Sequence, residues 1–160
     1  MITYEKANEM FYYMNGKLYR KTSPHPKIKI GSEVGYKDSH GHLRVEINNT
    51  TYGVHRIIFL LCNKYLPETV DHINGVRDDN RIENLRAASI GQNNMNVRKG
   101  KANTTGIKNV YWHKANKKWT VQIGVGRKNI YCGCFEDIEL AMLVAKEARN
   151  KYHKEFARHE

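Results

Sequence analysis

The apolar periodicity of this chain breaks at one place. Lys99 to Thr105 is polar, contains Gly100 and holds no large apolar residue, the composition of a linker. In a chain of 160 residues each side of such a break can bury only a small core, so two small units are expected, 1–98 and 106–160, joined by 99–105.

The first unit opens with hairpin signals. Tyr12-Tyr13-Met14, Asn15-Gly16 and Lys17-Leu18-Tyr19 read as strand, tight turn and strand, because Asn-Gly accepts the positive φ of a type I′ turn. Leu43, Val45 and Ile47 alternate with Arg44 and Glu46 before Asn48 and Asn49 turn the chain into Thr51 to Val54, a second hairpin with a scaffolding role. His40 and His42 lie in the Gly-containing turn before it, without a nearby third metal ligand, and read as a solvent-exposed turn. Between Val54 and Leu66, Ile57, Ile58, Leu60, Leu61 and Tyr65 fall at helical intervals, and Pro67 is the expected stop. Then come a short strand (Glu68 to Ile73), a polar loop (Asn74 to Asn80), a second short strand (Asn84 to Ala88) and a helix (Ser89 to Arg98) capped by Ser89.

Beyond the linker, Ile107 to His113, Lys118 to Val125 and Lys128 to Phe135 alternate as strands do, with Trp119, Val121, Ile123 and Val125 on one face. Asp137 is placed to cap a helix whose stripe of Ile138, Ala141, Val144, Ala148 and Tyr152 can cover the sheet. The expected fold class is therefore α+β: small hairpins and a helix leading into a strand–loop–strand–helix unit, then a three-stranded antiparallel sheet packed on one helix.

Charge narrows the partners. Lys and Arg number 27 against 16 Asp and Glu, a formal charge of +11. From Asn84 to Phe135 there is no acidic residue and there are ten basic ones, a field that attracts a polyanion. Cys62, Cys132 and Cys134 form no CxxC pair and read as buried free thiols. No signal segment and no run of eighteen apolar residues is visible, so the expectation is a cytoplasmic protein with no membrane partner and no small-molecule cofactor, acting as a monomer.

The chemistry concentrates in Asp71-His72-Ile73-Asn74-Gly75, Asn80, Asn84-Leu85 and the helix holding Gln92, Asn93, Asn94 and Asn96. Hydrolysis of a phosphodiester needs a deprotonated water, a cation at the phosphorus oxygens and fixed in-line geometry. A neutral histidine suits the first task, and Asp71 with an amide oxygen suits a hard divalent ion. At a strand end the adjacent Asp71 and His72 point to opposite sides, so one can hold metal while the other faces water.

Val54-His55-Arg56, Asp71-His72-x-x-Gly75, Asn80, Asn84-Leu85 and Asn93 resemble the HNH endonucleases of phages, the homing type in particular, over 35–96. The resemblance implies a ββα-metal core at about 68–98, with His72 as general base and Asn84 bracing the loop that orients it. It further implies Asp71 and Asn93 as ligands of a divalent ion, Mg²⁺ foremost and Mn²⁺ as the substitute. Asn94 and Asn96 are alternative ligands if the helix register differs. His55 either touches phosphate or caps and packs; with Arg56, Arg77, Arg81 and Arg86 it is a candidate DNA contact.

Thr105 to Trp112, Lys118 to Ile123, Tyr131 to Phe135 and Ala141 to Ala157 resemble the APETALA2 / ethylene-response-factor DNA-binding domain. That resemblance implies a sheet laid in the major groove of duplex DNA. Strand alternation places Tyr111, His113, Thr120, Gln122, Arg127, Asn129 and Tyr131 outward, with Lys108 another candidate contact, while Trp112 and Trp119 read as core. The plant-type arginines are replaced by Lys108, Tyr111 and Gly124, so base preference does not transfer. The resulting expectation is a metal-dependent endonuclease on double-stranded DNA. A DNA-binding regulator with a vestigial nuclease centre and an RNA-binding protein are the rival readings.

Overall fold

The computed structural model describes residues 2–23, 25–97, 99–100 and 103–159. The expected helix end at Arg98 and the linker residues Lys101 and Ala102 lie outside them. The fold is mixed α+β and forms two compact units, Met1–Ser89 and Ile90–Glu160.

In the first unit, helix α1 (Tyr4–Met10), unannounced by the sequence, is capped by Thr3, whose hydroxyl accepts from the Lys6 amide. It runs into the hairpin β1 (Phe11–Met14) and β2 (Lys17–Arg20), where Asn15 and Gly16 take φ of 49° and 81° as a type I′ turn requires. A second sheet, in the order β3 (Tyr36–Lys37), β4 (Leu43–Ile47) and β5 (Thr50–Gly53), turns through Asn48 and Asn49, both at positive φ. Helix α2 (Val54–Asn63) follows. It ends earlier than Pro67 implied, because Lys64 adopts φ 62° and its N–H closes on the Leu60 carbonyl.

Val54, Ile57, Ile58 and Leu60 bury the apolar side of α2 among Phe11, Leu18, Val45, Ile47, Val70 and Leu85. One core thus ties both hairpins to the antiparallel pair β6 (Thr69–His72) and β7 (Leu85–Ala88), with a 3₁₀ turn at Ile82–Asn84 between them.

The second unit holds the short helix α3 (Ile90–Met95), which stops short of the expected end, and a sheet ordered β10 (Lys128–Phe135), β9 (Lys118–Val125), β8 (Val110–His113). The strand α4 covers is the central one: this helix (Ile138–His153) lays Ala141, Ala145 and Ala148 over the sheet, and Asp137 accepts from the Glu139 amide at its start. Val110 and Val121 meet Ala141 and Ala145 in the core, with Trp119, Cys132 and Phe135 packed against them. Trp112 contacts Trp119 edge to face at 4.8 Å but remains exposed, so it is not the core residue expected. The thiols are free, yet Cys62 is exposed and Cys132 and Cys134 are only half-buried, correcting the buried reading. No helix among the described residues is long and apolar enough to cross a membrane.

Candidate active site

The chemistry-bearing residues of the first unit gather where β6 ends. Asp71 pairs across the ladder with Arg86 and His72 with Leu85, and both side chains are buried. Asp71 Oδ2 receives Arg86 Nε and Nη2, each at 2.8 Å, so the carboxylate is fixed in orientation.

The loop between the strands is closed by Asn84. Its Oδ1 accepts from the Asn74 amide at 3.0 Å, and its Nδ2 donates to the Asp79 carbonyl at 2.7 Å. Gly75, at φ 65°, donates its amide to the His72 carbonyl and makes the first bend. Asp79 accepts twice from Arg81, each at 2.8 Å, and once from Asn74, which together hold its carboxyl well below the usual range. Neighbouring elements pin the loop from outside: Lys37 pairs with Asp78 at 2.7 Å, Arg77 donates to the His40 carbonyl, and the Ile82 amide donates to the Tyr13 hydroxyl.

Behind the loop, three imidazoles meet. The ring of His72 lies 5.0 Å from His55 and 5.9 Å from His42, and those two are 5.5 Å apart. The exposed-turn reading therefore holds for His40 and fails for His42. Asp38 accepts the backbone amides of both at 2.9 Å, folding the turn so that His42 faces inward. Burial, with His72 and His42 alongside, lowers the pKa of His55 to about 3, and burial beside Arg77 lowers that of His42. Gly53 makes room for this packing: a Cβ there would stand 2.5 Å from His55 Cε1. Its φ of −72° and ψ of 131° suit any residue, so only the imidazole demands glycine. His72 Nε2 donates to Asn80 Oδ1 at 2.9 Å, and both groups are buried.

A buried aspartate–histidine pair at a strand end, above a loop braced by an asparagine, is an arrangement with relatives. Residues 52–95 match the HNH endonuclease family model. The chain is also 28% identical over 89 residues to Protein 3.8 of Escherichia phage T7, covering 56% of this chain and 73% of that protein. No solved structure matches it at significant similarity.

Within the HNH segment several expected contacts are redirected. His55 is an interior residue kept neutral, and so is not a cationic phosphate contact. Arg56 spends Nη1 and Nη2 on the Glu68 and Pro67 carbonyls, staking the turn after α2. Arg86 belongs to Asp71 rather than to the surface. Arg77 and Arg81 are exposed beside the loop, although each already holds a loop oxygen. Asn93 is half-buried in α3, in the second unit.

In that unit Tyr111, His113, Arg127, Asn129 and Tyr131 are exposed, and half-buried Gln122 accepts from the Tyr111 hydroxyl at 2.9 Å. Thr120 is buried, contrary to expectation, because a bulge between Tyr131 and Gly133 brings Cys134 opposite it, Sγ 3.0 Å from the Thr120 hydroxyl. Lys108 also departs from the outward set. Its ammonium donates to the Met95 and Val97 carbonyls, and burial beside Arg149 and Arg158 lowers its pKa to about 8.

Asp71 is a hard oxygen donor of fixed orientation, and no three His, Cys, Asp or Glu side chains among the described residues converge to hold a metal. Such a donor set fits an ion like Mg²⁺, which needs one or two carboxylates and fills its remaining positions with water and phosphate oxygens.

Proposed function

We propose that this chain is a metal-dependent endonuclease of phage homing type, hydrolysing phosphodiester bonds of duplex DNA at a preferred site. The observation that carries the reading is Asn84, whose amide bridges both ends of the loop beside the buried Asp71-His72 pair inside the HNH match. His72 takes a proton from water as the water oxygen bonds to phosphorus; the P–O3′ bond breaks, and the leaving oxygen is protonated from solvent. A bound divalent cation supplies positive charge at the phosphate and leaving oxygens. Asp71 and, from α3, Asn93 are the donors that would hold it. Arg86 fixes the Asp71 carboxylate, and the rings of His55 and His42 keep water from the back of His72.

The second unit, in its resemblance to the APETALA2 / ethylene-response-factor fold, serves as the DNA-targeting module. Its exposed sheet residues Tyr111, His113, Gln122, Arg127, Asn129 and Tyr131 supply the contacts.

Nicking of supercoiled plasmid with and without Mg²⁺ tests the reading. His72→Ala should lower the rate at least ~10²-fold and leave DNA affinity nearly unchanged, since the base acts in the transition state while phosphate contacts set affinity. Near wild-type nicking by this variant would sink the assignment.

A further inference from the structure

We propose that Asn80 is a positioning residue for this reaction: its side-chain oxygen fixes His72 as the tautomer protonated on Nε2, leaving Nδ1 as the atom that takes the proton from water. The inference rests on the nuclease reading for its kinetic consequence, but its structural part stands on geometry alone.

An amide oxygen can only accept, so the 2.9 Å contact from His72 Nε2 to Asn80 Oδ1 requires a proton on Nε2. A neutral imidazole carries one N–H, and its basic lone pair is then on Nδ1. Turning the ring over about Cβ–Cγ would put a carbon where Nε2 stands and forfeit the bond. The rings of His55 and His42, packed at 55° and 46° to His72, oppose that rotation.

Asn80 does not owe its place to His72. Its backbone amide donates to the Asp78 carbonyl at 3.2 Å, and its neighbour Asp79 is tied to Asn74, Arg81 and Asn84. The oxygen is thus presented by a loop with its own supports.

The second observation is an unmet need. Asn80 is 1% exposed, and its Nδ2 finds no hydrogen-bond partner among the described residues. A buried amide donor without a partner destabilises the fold, and leucine would fill a similar volume without that cost. An asparagine held under this penalty is explained by what its other atom does. When the water proton arrives on Nδ1, the Nε2–H bond to Oδ1 becomes charge-assisted and stronger. The contact therefore favours the transition state over bound substrate and should act on kcat rather than on KM. This role differs from that of Asn84, which binds the backbone of the loop and does not touch the base.

The test uses the full chain labelled with ¹⁵N-histidine, at a pH where His72 is neutral and with its signals assigned through His72→Gln. Wild type should show a protonated Nε2 and an unprotonated Nδ1 at His72, and Asn80→Leu should lose that preference. In plasmid nicking at saturating Mg²⁺, Asn80→Leu should lower kcat at least ~10-fold with KM unchanged. Asn80→Asp, which keeps the acceptor, should restore kcat to within a few-fold of wild type. A wild-type His72 protonated on Nδ1, or Asn80→Leu cutting at the wild-type kcat, would overturn the proposal. So would Asn80→Asp as slow as Asn80→Leu. If the leucine variant does not fold, the wild-type tautomer and the aspartate variant still decide. A wild type that cuts no DNA would overturn the nuclease reading alone, and the tautomer would still judge Asn80.

Discussion

His55 shows how strongly the interior of the site acts on a single side chain. Its pKa is about 3 in the fold against a model value of 6.5. Between those values the unfolded chain holds a proton that the folded chain refuses. The stabilising effect of neutral His55 is therefore complete above 6.5 and is lost as pH falls toward 3. The slope reaches at most about 1.4 kcal/mol per pH unit. Urea unfolding at stepped pH should show stability declining across this window, and His55→Gln should flatten the decline by close to that amount. An unchanged slope would mean that His55 takes up its proton without resisting.

At the scale of elements, the loop between β6 and β7 depends on one amide. Asn84→Ala leaves the Asn74 amide and the Asp79 carbonyl without their partner, which costs about 1–3 kcal/mol. Thermal unfolding should register that loss, and nicking should slow although His72 is intact; wild-type rates would show that the loop holds its shape without the brace. Much of this level was legible in the sequence. Asn15-Gly16 named its hairpin, and alternation gave the limits of β9 and β10, because such signals are local. The misses have non-local causes. Helix α1 lacks a strong apolar period, and α2 stops because Lys64 adopts a conformation its residue type does not advertise. Burial of Thr120 follows from a bulge in the neighbouring strand, and the meeting of His42, His55 and His72 joins three elements through tertiary packing. Asn80 could have been singled out by its place in the motif, but its bond to His72 could not.

For the whole molecule, the relevant quantities are the charge of +11 and its uneven placement, with no acidic side chain from Asn84 to Phe135. Composition marks 99–105 as a linker, while packing groups α3 with the second unit, so a fragment spanning Ile90–Glu160 keeps that core whole. This fragment should bind duplex DNA without cutting it. Log affinity should fall linearly with log salt, each phosphate contact adding roughly one unit to the slope. Arg127→Ala should weaken all sequences alike, and Gln122→Ala should relax sequence preference if that amide reads a base. A fragment with no affinity for DNA would end the two-part reading.

Gly53 gives the site a vulnerability that contains no functional group. A methyl group at that α-carbon would displace the His55 imidazole that packs on His72, although the backbone there tolerates any residue. A survey that substitutes acids, bases and nucleophiles one by one would pass over the position. In a lineage of such chains, drift at an unremarkable strand–helix junction could therefore silence the enzyme while every catalytic letter of the motif stayed in place.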